Sequence, residues 1–325
     1  MYVDSAASSP APDSSATVTR PTTAQRLGRE IRSQWILYLM IVPGIIYFAV
    51  FRYFPMYGAV IAFKDYQVLE GITGSPWVGF EHFQKMFQST YFTNILTNTL
   101  LISAYRFFWG LPAGVLLALL INEVRWGPFK KGVQTITYLP HFLSWVVVYG
   151  VLMILLSPAD GLLNKPIVAW GGDPISFLAD PNWFRSIVVG SSIWKEVGWS
   201  AILYLAALTS ISPELYEAAS VDGASRLRRI WDISLPSILP VVMLVSLLNL
   251  GNILSAGFEQ IFLMYSPGTY KVGDIIDTWV YRNGIVGFQF EVGAAVGLFK
   301  GVIGMVLVVF CNWMARRLTG KGVLW

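Results

Sequence analysis

The stretch SPELYEAASVDGASRLRRIWDISLP, residues 212–236, separates two long apolar runs and decides how the rest of the chain is read. Ser212, Pro213 and Glu214 have the form of a helix start: a capping hydroxyl, a proline tolerated in the first turn, and a carboxylate near the positive end of the helix dipole. Glu217, Ala218 and Ala219 continue that helix, and the small side chains leave a surface that another protein can approach closely. Asp222-Gly223 ends it, because glycine supplies the backbone freedom of a turn. A second, basic helix through Arg226, Arg228 and Arg229 then leads to Leu235-Pro236 at the next apolar run. The product is a helix-turn-helix under a membrane, carrying a knob for a partner in the aqueous phase.

Outward from that loop the chain is a series of apolar runs. With 325 residues, 55% hydrophobic and only 13% charged, it is too apolar for soluble domains, and the fibrous and disordered classes are excluded. Six segments, roughly 35–53, 95–122, 134–157, 186–208, 236–264 and 289–316, have the length of about 20 residues that a bilayer demands. The expected fold class is therefore an all-α membrane protein of six transmembrane helices with a cytoplasmic helix-turn-helix loop over 212–236. Cys311 is the single cysteine and closes no internal disulfide; two histidines, His82 and His141, argue against a histidine metal site. The net charge of +4 comes from basic residues bordering the apolar runs, which anchors cytoplasmic loops and calls for no nucleic acid.

Placing the N-terminus in the cytoplasm puts thirteen Lys and Arg inside, among them Arg125, Lys130, Lys131, Arg226, Arg228, Arg229, Arg316 and Arg317. Seven remain outside: Arg52, Lys64, Lys85, Lys165, Arg185, Lys271 and Arg282. This asymmetry predicts that both termini are cytoplasmic. Residues 1–24, rich in Ser, Ala, Thr and Pro, read as a disordered tail, and 25–34, with Arg26, Arg29 and Arg32 at helical spacing, as an amphipathic helix on the membrane face. No cleaved signal peptide is expected. Residues 35–325 then form the transmembrane domain. In its longest outer loop Phe80, Phe83 and Phe87 recur at helical spacing and predict a short surface helix.

Glu217-Ala218-Ala219, three residues, Gly223, nine residues, Ile233, one residue and Leu235-Pro236 together resemble the EAA loop of the membrane subunits of binding-protein-dependent ABC importers. The segments VPGIIYFAVFRYFPMYGAVIAFKDY and WVGFEHFQKMF are similar to the LplB-like polysaccharide branch of these permeases, and the overall likeness reaches importers of alginate-type acidic oligosaccharides. The resemblance implies a type I importer fold in a bacterial inner membrane. It implies four kinds of partner: a homologous second permease, two ATPase subunits, an extracytoplasmic solute-binding protein and an oligosaccharide cargo. Glu217, Ala218, Ala219, Asp222, Gly223 and Ala224 would dock in a groove of the ATPase, with Ile230, at a position often aromatic in the family, filling an apolar slot there. The chain has no GxxxxGK[ST], so ATP and Mg would be bound by the ATPase subunits and no cofactor by this chain.

Ionisable groups within spans are costly and mark bundle interiors or wet cavities. Arg106, Lys195, Glu196, Glu259 and Lys300 are such groups. On a continuous fifth helix Asn249, Asn252 and Glu259 fall within about 80° of arc, with Phe258 adjacent, a face suited to sugar hydroxyls and rings. Trp194, Lys195, Glu196 and Trp199 offer the same chemistry on the fourth span, and helix–helix hydrogen bonding accounts for any one of these residues equally well. Gly293, Gly297 and Gly301, like Gly110 and Gly114, form small-residue stripes for close helix packing. Lys300 is expected to pair with Glu196 or Glu259, or to project into the pathway. His141 follows Pro140 without a sequence companion and reads as a kink. A membrane-embedded enzyme finds no catalytic constellation, and an ion-driven transporter or channel leaves residues 212–236 unexplained.

Overall fold

The computed structural model describes residues 34–251 and 253–319, and the one β pairing among them is an isolated antiparallel bridge between Lys64 and Trp77. The expected tail over 1–24 and interfacial helix over 25–34, apart from Gln34, lie outside the described residues, as does Asn252. Four helical runs are long and apolar enough to cross a membrane: Trp35–Phe63, Thr90–Glu123, Arg226–Gly251 and Phe290–Met314. The chain divides into two units, residues 1–58 and 59–325.

In the first unit, α1 (Trp35–Phe48) continues through a π-helical turn, Ala49–Tyr53, and a turn of α-helix, Phe54–Met56. Its side chains are exposed all round and almost wholly apolar, the composition of a span that faces lipid or other spans.

The second unit begins with the outer loop, where α2 (Glu81–Gln88) is the expected surface helix; Phe83 packs inward beside Met86 and Phe92, while Phe80 and Phe87 stay exposed. Next, α3 (Thr90–Glu123) starts at Ser89, whose hydroxyl accepts from the Phe92 N–H, and its 34 residues extend about 51 Å. Its main neighbour is α6 (Pro181–Thr209), begun by an Asp180 cap and a proline in the first turn. Gly114 lets the two helices close: a Cβ there would stand 3.1 Å from Ser200 Cβ and 3.3 Å from the Tyr204 ring.

Two expected spans are not continuous helices. Over 134–157 the chain forms α4 (Gly127–Tyr138), a 3₁₀ turn Leu139–Phe142, and α5 (Trp145–Leu155), with the two halves bent by 104°. Leu143 is extended at ψ 138 and Ser144 starts a new helix by accepting from Val147 N–H, so Pro140 and this cap turn the chain. Over 236–264 the helix α8 (Leu235–Gly251) stops, and α9 (Phe258–Met264) starts after Gly257 at φ 84. Then α10 (Ile276–Val280) leads through a π-helical segment to α11 (Phe290–Thr319). Between α5 and α8, α7 (Pro213–Val221) stands outside the bundle, with no buried residue. At that end Ala118, Leu119, Ile121, Ala201, Tyr204, Leu205, Leu208 and Ile238 form one core.

Candidate coupling helix and translocation cleft

The knob anticipated at 212–236 is present as α7, and its end is set by local chemistry. Gly223 adopts φ 77; the Ala224 N–H donates to Ala219 O at 2.8 Å and the Gly223 N–H to Ser220 O at 3.2 Å. This is a Schellman closure, which satisfies carbonyls that a helix end leaves open and needs a left-handed residue at the glycine. Ser225 then caps the next helix by accepting from the Arg228 N–H at 3.3 Å. Two side-chain contacts tie α7 to this rising helix: Tyr216 Oη with Ser234 Oγ at 2.9 Å, and Arg229 Nη1 donating to Ser220 Oγ at 2.6 Å. Glu217, Ala218, Asp222 and Gly223 are exposed, and Leu215, Val221 and Trp231 add exposed apolar surface.

Deeper in the bundle, α3, α6 and α8 enclose a cleft of about 510 Å³ lined by Ser103, Arg106, Glu196, Trp199, Ser200 and Asn249, among others. Glu196 Oε2 accepts from His141 Nδ1 at 2.8 Å, and the His141 ring stacks on Trp199 with centroids 4.4 Å apart. Lys195, 6% exposed, turns away: its Nζ donates to His141 O at 2.5 Å and lies 3.7 Å from Glu196 Oε1. The bend between α4 and α5 is thus stapled to α6 by one lysine and one carboxylate. Gly198 permits the contact, since a Cβ there would meet Thr137 O at 2.0 Å.

At the far end from α7 a buried network fixes the segment between α9 and α11. The Asp274 carboxylate is fully buried; it accepts from Arg282 Nη2 at 2.6 Å, from Thr278 Oγ1 at 2.7 Å and from the Tyr91 hydroxyl. Asn98 donates to the carbonyls of Lys271 and Asp274, both at 3.1 Å, and accepts from Arg185 Nη2 at 2.7 Å. Burial acts to lower the Arg282 pKa, yet the hydrogen bond and charge of Asp274 prevail and raise it above the ordinary guanidinium value.

Residues 110–321 match the model of the family described as binding-protein-dependent transport system inner membrane component. The chain belongs to this family. It is similar to the polygalacturonan/rhamnogalacturonan transport system permease protein YteP of Bacillus subtilis (strain 168), at 45% identity over 96% of this chain and 98% of that protein. It is 43% identical to LplB of Bacillus subtilis (strain 168), covering 90% and 92% of the two chains. It is also similar, with a TM-score of 0.85 and 44% identity over 91% of this chain and 99% of the other, to a chain of a bacterial alginate ABC transporter solved in complex with an alginate pentasaccharide-bound periplasmic protein. The protein is accordingly a membrane-embedded ABC transport permease, not an enzyme, with the type I fold.

Within the permease the other anticipated residues scatter. Asn249 lines the cleft, whereas Phe258 stacks on Phe262 at 5.3 Å and Glu259 is exposed in the first turn of α9. The arc shared by Asn249 and Glu259 fails because it assumed one continuous helix, whereas α8 is Leu235–Gly251 and α9 begins at Phe258. Trp194 is 49% exposed and outside the cleft. Ile230 turns inward onto the core of Ala118, Tyr204 and Ile238, because the π-helical turn Ile230–Ser234 leaves Trp231 exposed instead. Lys300 pairs with Asp277, not with Glu196 or Glu259, and His141 has a companion in Glu196. Gly293 approaches Gly284, while Gly297 and Gly301 face open space. The Asp274 network carried no sequence signal, since Tyr91 and Asp274 are 183 residues apart.

Proposed function

We propose that this permease is one of two homologous membrane subunits of an ATP-driven importer for oligosaccharides bearing uronic acids. The observation that carries this reading is α7: a closed, exposed helix bearing Glu217 and Ala218, hydrogen-bonded through Tyr216 and Ser220 to the helix that enters the bundle. Closure of the two ATPase subunits, one of which holds α7 in a groove, is transmitted along those bonds to α8. ATP and Mg2+ belong to the ATPase chains, and this chain binds no cofactor. Both termini and α7 lie in the cytoplasm of an inner membrane, and a solute-binding protein delivers cargo at the opposite end, where Asp274 holds the segment between α9 and α11. Uronate polymers are the common chemistry of the polygalacturonan and alginate systems to which the chain is similar.

The test is uptake of labelled tetragalacturonate and of a mannuronate tetramer by cells expressing the complete transporter, with and without this gene. Gene-dependent, ATP-dependent uptake of either acid is expected. Uptake of neutral oligosaccharides only would overturn the cargo assignment, and loss of ATPase co-purification with no change in uptake would overturn the coupling assignment.

A further inference from the structure

Arg106 stands near the middle of α3, sixteen residues after Thr90, where a guanidinium within a membrane demands a polar partner. Its Nη2 donates to Gln260 Oε1, a neutral acceptor, and no carboxylate lies within ion-pair distance among the described residues. Gln260 is held with that oxygen forward, its amide donating to Val188 O at 2.9 Å and Ser191 Oγ at 2.8 Å. Arg106 Nε is buried without a hydrogen-bond partner, and so is Ser103 Oγ one turn away on the same cleft wall. The fold makes room for this group. Gly257, at φ 84, would put a Cβ 2.2 Å from Arg106 Nη1, so the chain just before α9 packs directly against the guanidinium.

The other two intramembrane cations are consumed by their own chain, Lys195 by the His141 carbonyl and Lys300 by Asp277. Glu196, the carboxylate of the cleft, is engaged by His141 and lies close to Lys195. We propose that Arg106 is the anion-recognising residue of the cleft, its guanidinium, which has no ion pair among the described residues, taking a sugar carboxylate while Ser103, Asn249 and Trp199 meet hydroxyls and a ring face. This rests on the uronate reading above and deepens it. A planar, bidentate donor fork suits a carboxylate better than a lysine does, and in a low-dielectric cleft an unpaired cation discriminates strongly between an acid and its neutral ester.

The test uses the complete complex with its partner subunits in nanodiscs, with Ser192→Cys on the cleft wall as a reporter labelled by a neutral water-soluble maleimide; the native Cys311 is buried. Sodium tetragalacturonate should slow labelling at concentrations about 10- to 100-fold lower than its full methyl ester, the difference a charge-assisted hydrogen bond supplies. Arg106→Gln should bring the acid down to the level of the ester, and Arg106→Lys should recover part of the difference. Gln260→Glu, which leaves Arg106 in place but gives it a built-in carboxylate, should also abolish the preference. Equal protection by acid and ester, or by the acid before and after Arg106→Gln, would overturn the role of Arg106. If neither oligomer protects while cells still import the acid, the importer reading stands and the Arg106 proposal falls. If cells import neither oligomer, the uronate reading falls and the proposal with it.

Discussion

Tyr216 Oη and Ser234 Oγ lie 2.9 Å apart, and Ser234 is 1% exposed, so the exposed helix α7 is bonded to the rising helix at the point where that helix enters the core. With the Arg229–Ser220 contact, this is the path proposed for movement of α7 to reach α8. Removing both bonds with Tyr216→Phe and Ser220→Ala should leave ATPase binding intact and lower transport per ATP hydrolysed. At about 1 kcal/mol for each bond the drop is on the order of 5- to 30-fold. Uptake and ATP hydrolysis measured on the same proteoliposomes decide it, and an unchanged ratio would discard the path.

The proposed docking is expected to depend on the exposed face of α7. Glu217→Lys reverses a charge at the contact, at a cost of several kcal/mol, and should eject the ATPase while the spans stay folded. Gly223→Val should act differently, because a β-branched residue at φ 77 opens the Schellman closure and frays α7. Co-purification of the ATPase with each variant is the measurement; full recovery with Glu217→Lys refutes the docking face.

The Asp274 carboxylate is fully buried against Arg282, Tyr91 and Thr278. Asp274→Ala leaves a partly buried guanidinium and a phenol without their acceptor, and breaking such a pair costs about 3–5 kcal/mol. The purified permease should lose several degrees of thermal stability, and the Asp274→Asn variant less. A melting temperature unchanged by Asp274→Ala would show that the network contributes nothing.

Glycines on one helix should divide by what surrounds them. Gly198→Ala drives a methyl into the Thr137 carbonyl, 2.0 Å from the ideal Cβ, whereas Gly190→Ala on the same helix meets nothing within 4 Å. The first should abolish monodisperse protein in detergent. The second should be neutral or slightly stabilising, since alanine is the better helix former. Equal behaviour in size-exclusion chromatography would mean that α4 does not pack on α6 as described.

Features that arise within a few residues of chain were legible in the sequence. The apolar runs, the start of α7 at Pro213, its end at Gly223 and the surface helix holding Phe83 follow from proline placement, periodicity and turn chemistry, all short-range, although Ser212 makes no side-chain cap hydrogen bond. Positions of the polar groups were not. The periodicity of the fifth run treats Asn249 and Glu259 as neighbours on one face, but α8 ends at Gly251 and α9 begins only after Gly257, which packs against the guanidinium of Arg106, some 150 residues earlier. Lys300 finds Asp277, His141 finds Glu196, and Tyr91 finds Asp274 by the same means. Within a membrane an ionised group takes whichever partner packing brings within reach, at a cost too large to leave it alone. Local sequence therefore determined where this chain is helical and where the exposed helix α7 stands, while long-range packing decided which charges meet and which one, Arg106, is left in the cleft with no carboxylate at ion-pair distance among the described residues.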